Sequence, residues 1–151
     1  MCIRDRDSDV VVRGVCGPRF NKNRQLIGVH LFTPSLTEMH VVLRGSADPF
    51  SLPVRGVETV MQYAPHAAPG HRIRVRGVVT SRWGGRWISI MDHGHGMVLE
   101  SPDASHLAIG DLIDVVGFPG INGYTATLED AECRRIGSQA PPAPRLSLIH
   151  I

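Results

Sequence analysis

The chain has 151 residues, 42% hydrophobic and 20% charged, with a formal net charge of +2. That size and balance suit one or two small globular domains and exclude a nucleic-acid partner recruited by bulk charge. Three cysteines make neither a disulfide framework nor a cysteine-rich metal site. No apolar run reaches the roughly 20 residues that a membrane-spanning helix needs.

The two ends are read together. Met1-Cys2-Ile3-Arg4-Asp5-Arg6 and Leu146-Ser147-Leu148-Ile149-His150-Ile151 can be encoded by one short DNA string read in opposite directions. Both resemble a translated sequencing adapter, so residues 1–6 and 146–151 are set aside from fold reasoning. Residues 7–145 are then expected to be a fragment of a longer protein. Cys16 and Cys133 remain, and both are expected as small buried hydrophobes.

Glycine and proline punctuate the rest every few residues, with Val- and Ile-rich runs between them, which predicts short strands joined by turns. Val10-Val11-Val12-Arg13-Gly14-Val15-Cys16-Gly17-Pro18 is the first such run, followed by a turn and an apolar strand over Leu26–Phe32. Residues 46–70 read as a linker. Asp48 to Pro53 is pinned in extended form by its prolines, and Val57, Val60 and Met61 then recur at the spacing of a short helix. From Arg72 to Thr80 the alternation is strict: Ile73, Val75, Gly77 and Val79 on one face, and Arg72, Arg74 and Arg76 on the other. Gly77 is expected where this strand bends to serve both sides of a barrel.

Trp83-Gly84-Gly85-Arg86-Trp87 predicts a two-residue hairpin turn at Gly84-Gly85. Trp87 to Met91 is apolar on both faces and is expected as a central strand. Asp92-His93-Gly94-His95-Gly96 makes a second turn, and Met97-Val98-Leu99 a third strand. Pro102 to Ile109 is a loop or short helix, Leu112 to Val116 a fourth strand, and Tyr124 to Arg135 a last strand or strand pair. Residues 138–145 form a Pro-rich linker.

Five strands with a connection between the third and fourth predict an all-β, small Greek-key barrel of the OB type over residues 71–137. An SH3-like barrel or a small sandwich shares the same strand grammar. Val10 to Pro18 also echoes Ile113-Asp114-Val115-Val116-Gly117-Phe118-Pro119-Gly120. The expected arrangement is therefore tandem: residues 7–45 as the C-terminal remnant of one barrel, then a complete one.

Three constellations could carry chemistry. Asp92, His93 and His95 lie within four residues and would share ligand duty with His71 or His106 in a metal site; a solvated turn is the simpler reading, and no metal or cofactor is expected. Arg72, Arg74 and Arg76 beside Trp83 and Trp87 have the pattern with which OB folds hold single-stranded nucleic acid, basic groups on phosphates and aromatics on bases. The simpler reading makes the arginines an outer strand face and lets the tryptophans flank a hairpin or cap the barrel, with Asp92, Glu100, Asp103 and Asp111 diluting the field. No nucleophile elbow, phosphate loop or zinc-protease helix is present, so no enzyme is expected. If the barrel binds a ligand, the candidates are Trp83, Arg86, Trp87 and Tyr124 near the hairpin tip and rim.

The runs Arg74-Val75-Arg76-Gly77-Val78-Val79-Thr80, Ile88-Ser89-Ile90-Met91-Asp92 and Ile109-Gly110-Asp111-Leu112-Ile113-Asp114-Val115-Val116-Gly117-Phe118-Pro119 are similar to an extracytoplasmic module of bacterial sensor histidine kinases. Arg13 to Gly17, Asn21 to Gly28 and Asp48-Pro49-Phe50 fit the same tandem arrangement. The resemblance implies a non-catalytic sensory or adaptor segment, on the periplasmic side, ahead of downstream membrane and kinase domains. It implies an unknown small ligand or protein partner and a possible homodimer through the full-length protein; nucleic acid is not the expected partner, because the arginines read as an outer strand face and the acidic residues dilute the field. His93 to Gly96 departs from that pattern, which prefers small or hydroxyl residues there. The competing expectation is a single-stranded nucleic-acid-binding OB protein, whose binding would weaken steeply with salt and be lost on Trp87→Ala. A carbohydrate-binding barrel, indifferent to salt, is the third.

Overall fold

Ile73, Val75, Gly77 and Val79 all turn inward along one eleven-residue strand, and a closed barrel is built against that face. The computed structural model describes residues 7–60, 70–102, 104–122 and 125–143. The two adapter-like ends, Met61, Asp103 and Tyr124 lie outside the described residues. The chain divides into two compact units between Ala47 and Asp48.

The first unit is a ribbon of paired strands. β1 (Asp9–Val12) runs antiparallel to β4 (Met39–Leu43), and β2 (Val15–Phe20) to β3 (Leu26–Phe32). Asn21 shapes the turn between β2 and β3, its Oδ1 accepting from the backbone N–H of Asn23 and of Gln25, while Arg24 takes a φ of 59°. No described residue of this unit is buried. Cys16 is therefore exposed rather than buried as expected. Within its unit, and among the described residues, its strand pairs with β3 and has no second layer to pack on.

The second unit holds β5 (Val54–Arg55), β6 (Ile73–Trp83), β7 (Trp87–Asp92), β8 (His95–Glu100), β9 (Asp111–Asn122) and β10 (Thr125–Ser138). The sheet order is β5-β6-β7-β8-β10-β9, and β6 also pairs with β9, which closes the ring. Around that ring β8 and β10 are parallel and every other pair is antiparallel. A closed ring β6-β7-β8-β10-β9 is the Greek-key connectivity of an OB barrel, and it removes the SH3-like and sandwich alternatives. Closure also leaves the ring with no long unpaired edge.

Val75, Val79, Ile88, Ile90, Leu99 and Ile113 are among the inward residues that fill the barrel. The connection from β8 to β9 contains no helix among its described residues; it is a run of turns that sends Ala104 and Leu107 into the core. Part of the segment expected as a linker with a short helix belongs to this unit. Residues 48–60 carry β5, parallel to β6, and a 3₁₀ turn over Val57–Thr59 whose Val57 joins the same core.

Gly77 is required by close approach. A Cβ built there would stand 3.0 Å from Ile90 Cδ1 and 3.1 Å from the Met91 carbonyl oxygen. The carbonyl belongs to the β6–β7 ladder, where Val78 faces Met91, and cannot retreat without disturbing it. Gly77→Ala is expected to lower stability by about 1–3 kcal/mol, as overpacking does. A urea melt should show a reduced midpoint at unchanged slope; an unchanged midpoint would show that β6 has room at this bend.

Candidate functional site

The most chemically distinctive surface is the β6–β7 hairpin. Its loop has three residues, Gly84, Gly85 and Arg86, instead of the expected two, and both glycines take positive φ (58° and 71°). The extra residue changes the register. Trp83 now faces Trp87 across the ladder, whereas a two-residue loop would pair Trp83 with Arg86 and turn Trp87 to the other face. A register shift between Val79 and Ser81 absorbs the offset lower down. The two indole rings are stacked, 6.4 Å between centroids and 11° from parallel. Trp83 is 46% exposed and Trp87 half-buried, so the pair lies on the outside of the barrel.

Beside the rings runs an open groove of about 480 Å³, lined by Arg82, Trp83, Gly85, Trp87, Ala104, Ala108 and Ile109. Arg82 donates to the backbone carbonyls of Leu107 and Ser105, which ties the β8–β9 connection to the hairpin. Both partners are neutral carbonyls, so neither cancels the Arg82 charge. Arg86 reaches across to Glu100, Nη2 to Oε1 at 2.6 Å, and Glu100 is the direct cross-strand neighbour of Trp87.

The structure brings Trp83, Arg86 and Trp87 together; Tyr124 lies outside the described residues. Sequence reasoning missed Arg82 and the groove residues Ala104, Ala108 and Ile109. Arg82 adjoins Trp83, a usable signal, but nothing local announces that the β8–β9 turns reach the hairpin.

The three arginines of the first barrel strand do not form a phosphate track. Arg72 is buried, paired with Glu132 at 2.8 Å, its guanidinium 5.3 Å from the centroid of the Phe118 ring. Arg74 and Arg76 converge on one carboxylate, Asp114, with Arg76 Nε at 2.7 Å from Oδ1. Arg74 also donates to the Phe50 carbonyl at 2.6 Å and the Leu52 carbonyl at 3.2 Å. These contacts fasten residues 48–52 to the barrel wall. Burial pushes the Asp114 carboxyl upward, but the hydrogen bonds and charges of Arg76 and Arg74 outweigh it and hold the group below its ordinary value.

His93 and His95 occupy the β7–β8 turn. His93 takes a φ of 45° and sets Nδ1 2.8 Å from Asp92 Oδ1, while His95 faces Asp92 in the ladder. Among the described residues, no group of three His, Cys, Asp or Glu is placed to hold a metal ion. Also among the described residues, no helix is long and apolar enough to cross a membrane.

No family model and no curated protein matches the chain. Solved structures to which it is similar include the following three. The hypothetical protein ygiW from E. coli is 13% identical with a TM-score of 0.44, over 57% of this chain and 92% of that one. The Stn1–Ten1 complex from S. pombe is 16% identical with a TM-score of 0.42, over 60% and 79%. The telomere capping protein Ten1 from S. pombe is 12% identical with a TM-score of 0.40, over 56% and 80%.

Two expectations are corrected by these findings. The sensor-kinase segment, with its membrane and kinase partners, finds no support among family models. The expectation that nucleic acid is not a partner also fails. It let the tryptophans flank a hairpin or cap the barrel; they flank the hairpin, stacked on one another outside the core with an open groove beside them.

Proposed function

We propose that residues 48–143 form a non-catalytic OB barrel that binds single-stranded nucleic acid at the β6–β7 hairpin. The observation that carries this reading is the parallel Trp83–Trp87 pair, on the outside of the barrel, that flanks the loop between the first two barrel strands. That loop is one of the places where OB barrels take oligonucleotides. Every base has a π-face, so a stack on Trp83 is tolerant of sequence and contributes about 1–3 kcal/mol. Arg82 and Arg86 flank the rings and supply the positive charge for the backbone that carries the base. With a net charge of only +2, affinity must come from this local arrangement rather than from a general field.

The test is a fluorescence-anisotropy titration of a short labelled oligothymidine, with the matching duplex as comparison. Binding of the single strand is expected to weaken between about 50 and 200 mM salt, with a log–log slope near −0.7 for each phosphate engaged. Equal binding of the duplex, or an isotherm that ignores salt, would overturn the reading.

A further inference from the structure

We infer that Glu100 is an acidic gate on this interface, holding Arg86 at the position from which it would otherwise grip a phosphate; the inference rests on the nucleic-acid reading above. Glu100 stands directly opposite Trp87 in the β7–β8 ladder, so a fixed negative charge abuts the stacking platform. Its carboxylate takes the Arg86 guanidinium at 2.6 Å through a single Nη2–Oε1 contact. The Arg86 side chain is 62% exposed and that of Glu100 28%, so the arginine end of the pair stays open to solvent and to a competing anion. Exposed pairs of this kind are weak, and a phosphate oxygen offers the same fork a second acceptor. Of the two cations at the hairpin, Arg82 is spent on neutral carbonyls and keeps its charge, while Arg86 is cancelled. Glu100 therefore halves the local positive charge until a nucleic-acid backbone displaces it.

Glu100→Gln keeps the shape and removes the charge. It is expected to tighten oligothymidine binding several-fold at low salt while leaving the log–log salt slope near that of wild type, since Arg86 engages the same phosphate once Glu100 is displaced. Adding Arg86→Ala to that variant should abolish the gain. A Glu100→Gln protein with wild-type affinity overturns the gate, as does a gain that survives the loss of Arg86. As a readout independent of any variant, the Arg86 Nε–Hε resonance of the wild-type protein should shift on saturation with the oligonucleotide; an unmoved resonance overturns it too. Trp83→Ala measured alongside separates the two failures: if it binds as wild type, the interface itself is wrong, whereas if it weakens and Glu100→Gln is neutral, only the gate is.

Discussion

Asp114→Ala is expected to destabilise the barrel by about 3–5 kcal/mol, because removing one member of a buried charge cluster leaves the others uncompensated. Asp114 is 3% exposed and faces Arg76 across the β6–β9 ladder. Without it, the half-buried Arg74 keeps only the carbonyls of Phe50 and Leu52 as partners, and the wall loses the anion that holds two arginines side by side. For a domain of this size that loss is a fall in Tm of more than about 10 °C. Calorimetry checks it, and a shift of a degree or two would show that the cluster is dispensable.

The same group makes the barrel acid-sensitive in a defined direction. Asp114 is held below its ordinary value of 3.8, and so is Asp111, by a hydrogen bond from the Ala108 backbone N–H and by Arg135. A carboxyl whose folded pKa is depressed contributes stability above its unfolded pKa and loses it as pH falls through the folded one. Stability should therefore be level above about pH 5 and decline below about pH 4. Asp114→Asn should flatten that decline, measured as urea midpoint against pH. An acid limb identical to wild type would place the titrating groups elsewhere.

The second large effect falls on binding. Trp83→Ala and Trp87→Ala are each expected to weaken single-strand binding about 5- to 150-fold, the equivalent of 1–3 kcal/mol for a lost base stack. Trp83 is the cleaner probe. At 46% exposure and outside the core, its removal leaves the barrel intact, whereas Trp87 is half-buried beside Glu100. Trp83→Phe should recover part of the loss, since a smaller ring still stacks. Equal binding by wild type and Trp83→Ala would remove the hairpin from the interface.

The barrel itself was legible because a strand with one buried face writes its period into the sequence. Ile73, Val75, Gly77 and Val79 announce that face, and the glycine-rich turns at Gly84-Gly85 and Gly94 mark where the next strands begin. Register is a different matter. Gly84-Gly85 reads equally well as a two- or three-residue loop, and that one residue decides whether the two tryptophans share a face. The fate of the arginines was hidden for a related reason. Arg72, Arg74 and Arg76 alternate as outward residues should, but only the distant pairing of β6 with β9, and of β9 with β10, sets Asp114 and Glu132 beside them. Local pattern gives a strand its faces, and pairing across some 40 residues gives those faces their partners. Cys16 shows the limit from the other side: its run is as β-rich as that of β9, yet it is exposed because its ribbon lacks a second layer within its unit.

The most direct test of the central claim uses the protein's own fluorescence. The chain has two tryptophans, Trp83 and Trp87, and both belong to the proposed platform, so emission excited selectively from tryptophan reports on that surface alone. Titration with an unlabelled single-stranded oligonucleotide at low salt should quench the emission in a saturable way, and added salt should restore it. Emission that stays unchanged while the oligonucleotide is bound, or no binding at all, would contradict a stacking interface at this hairpin.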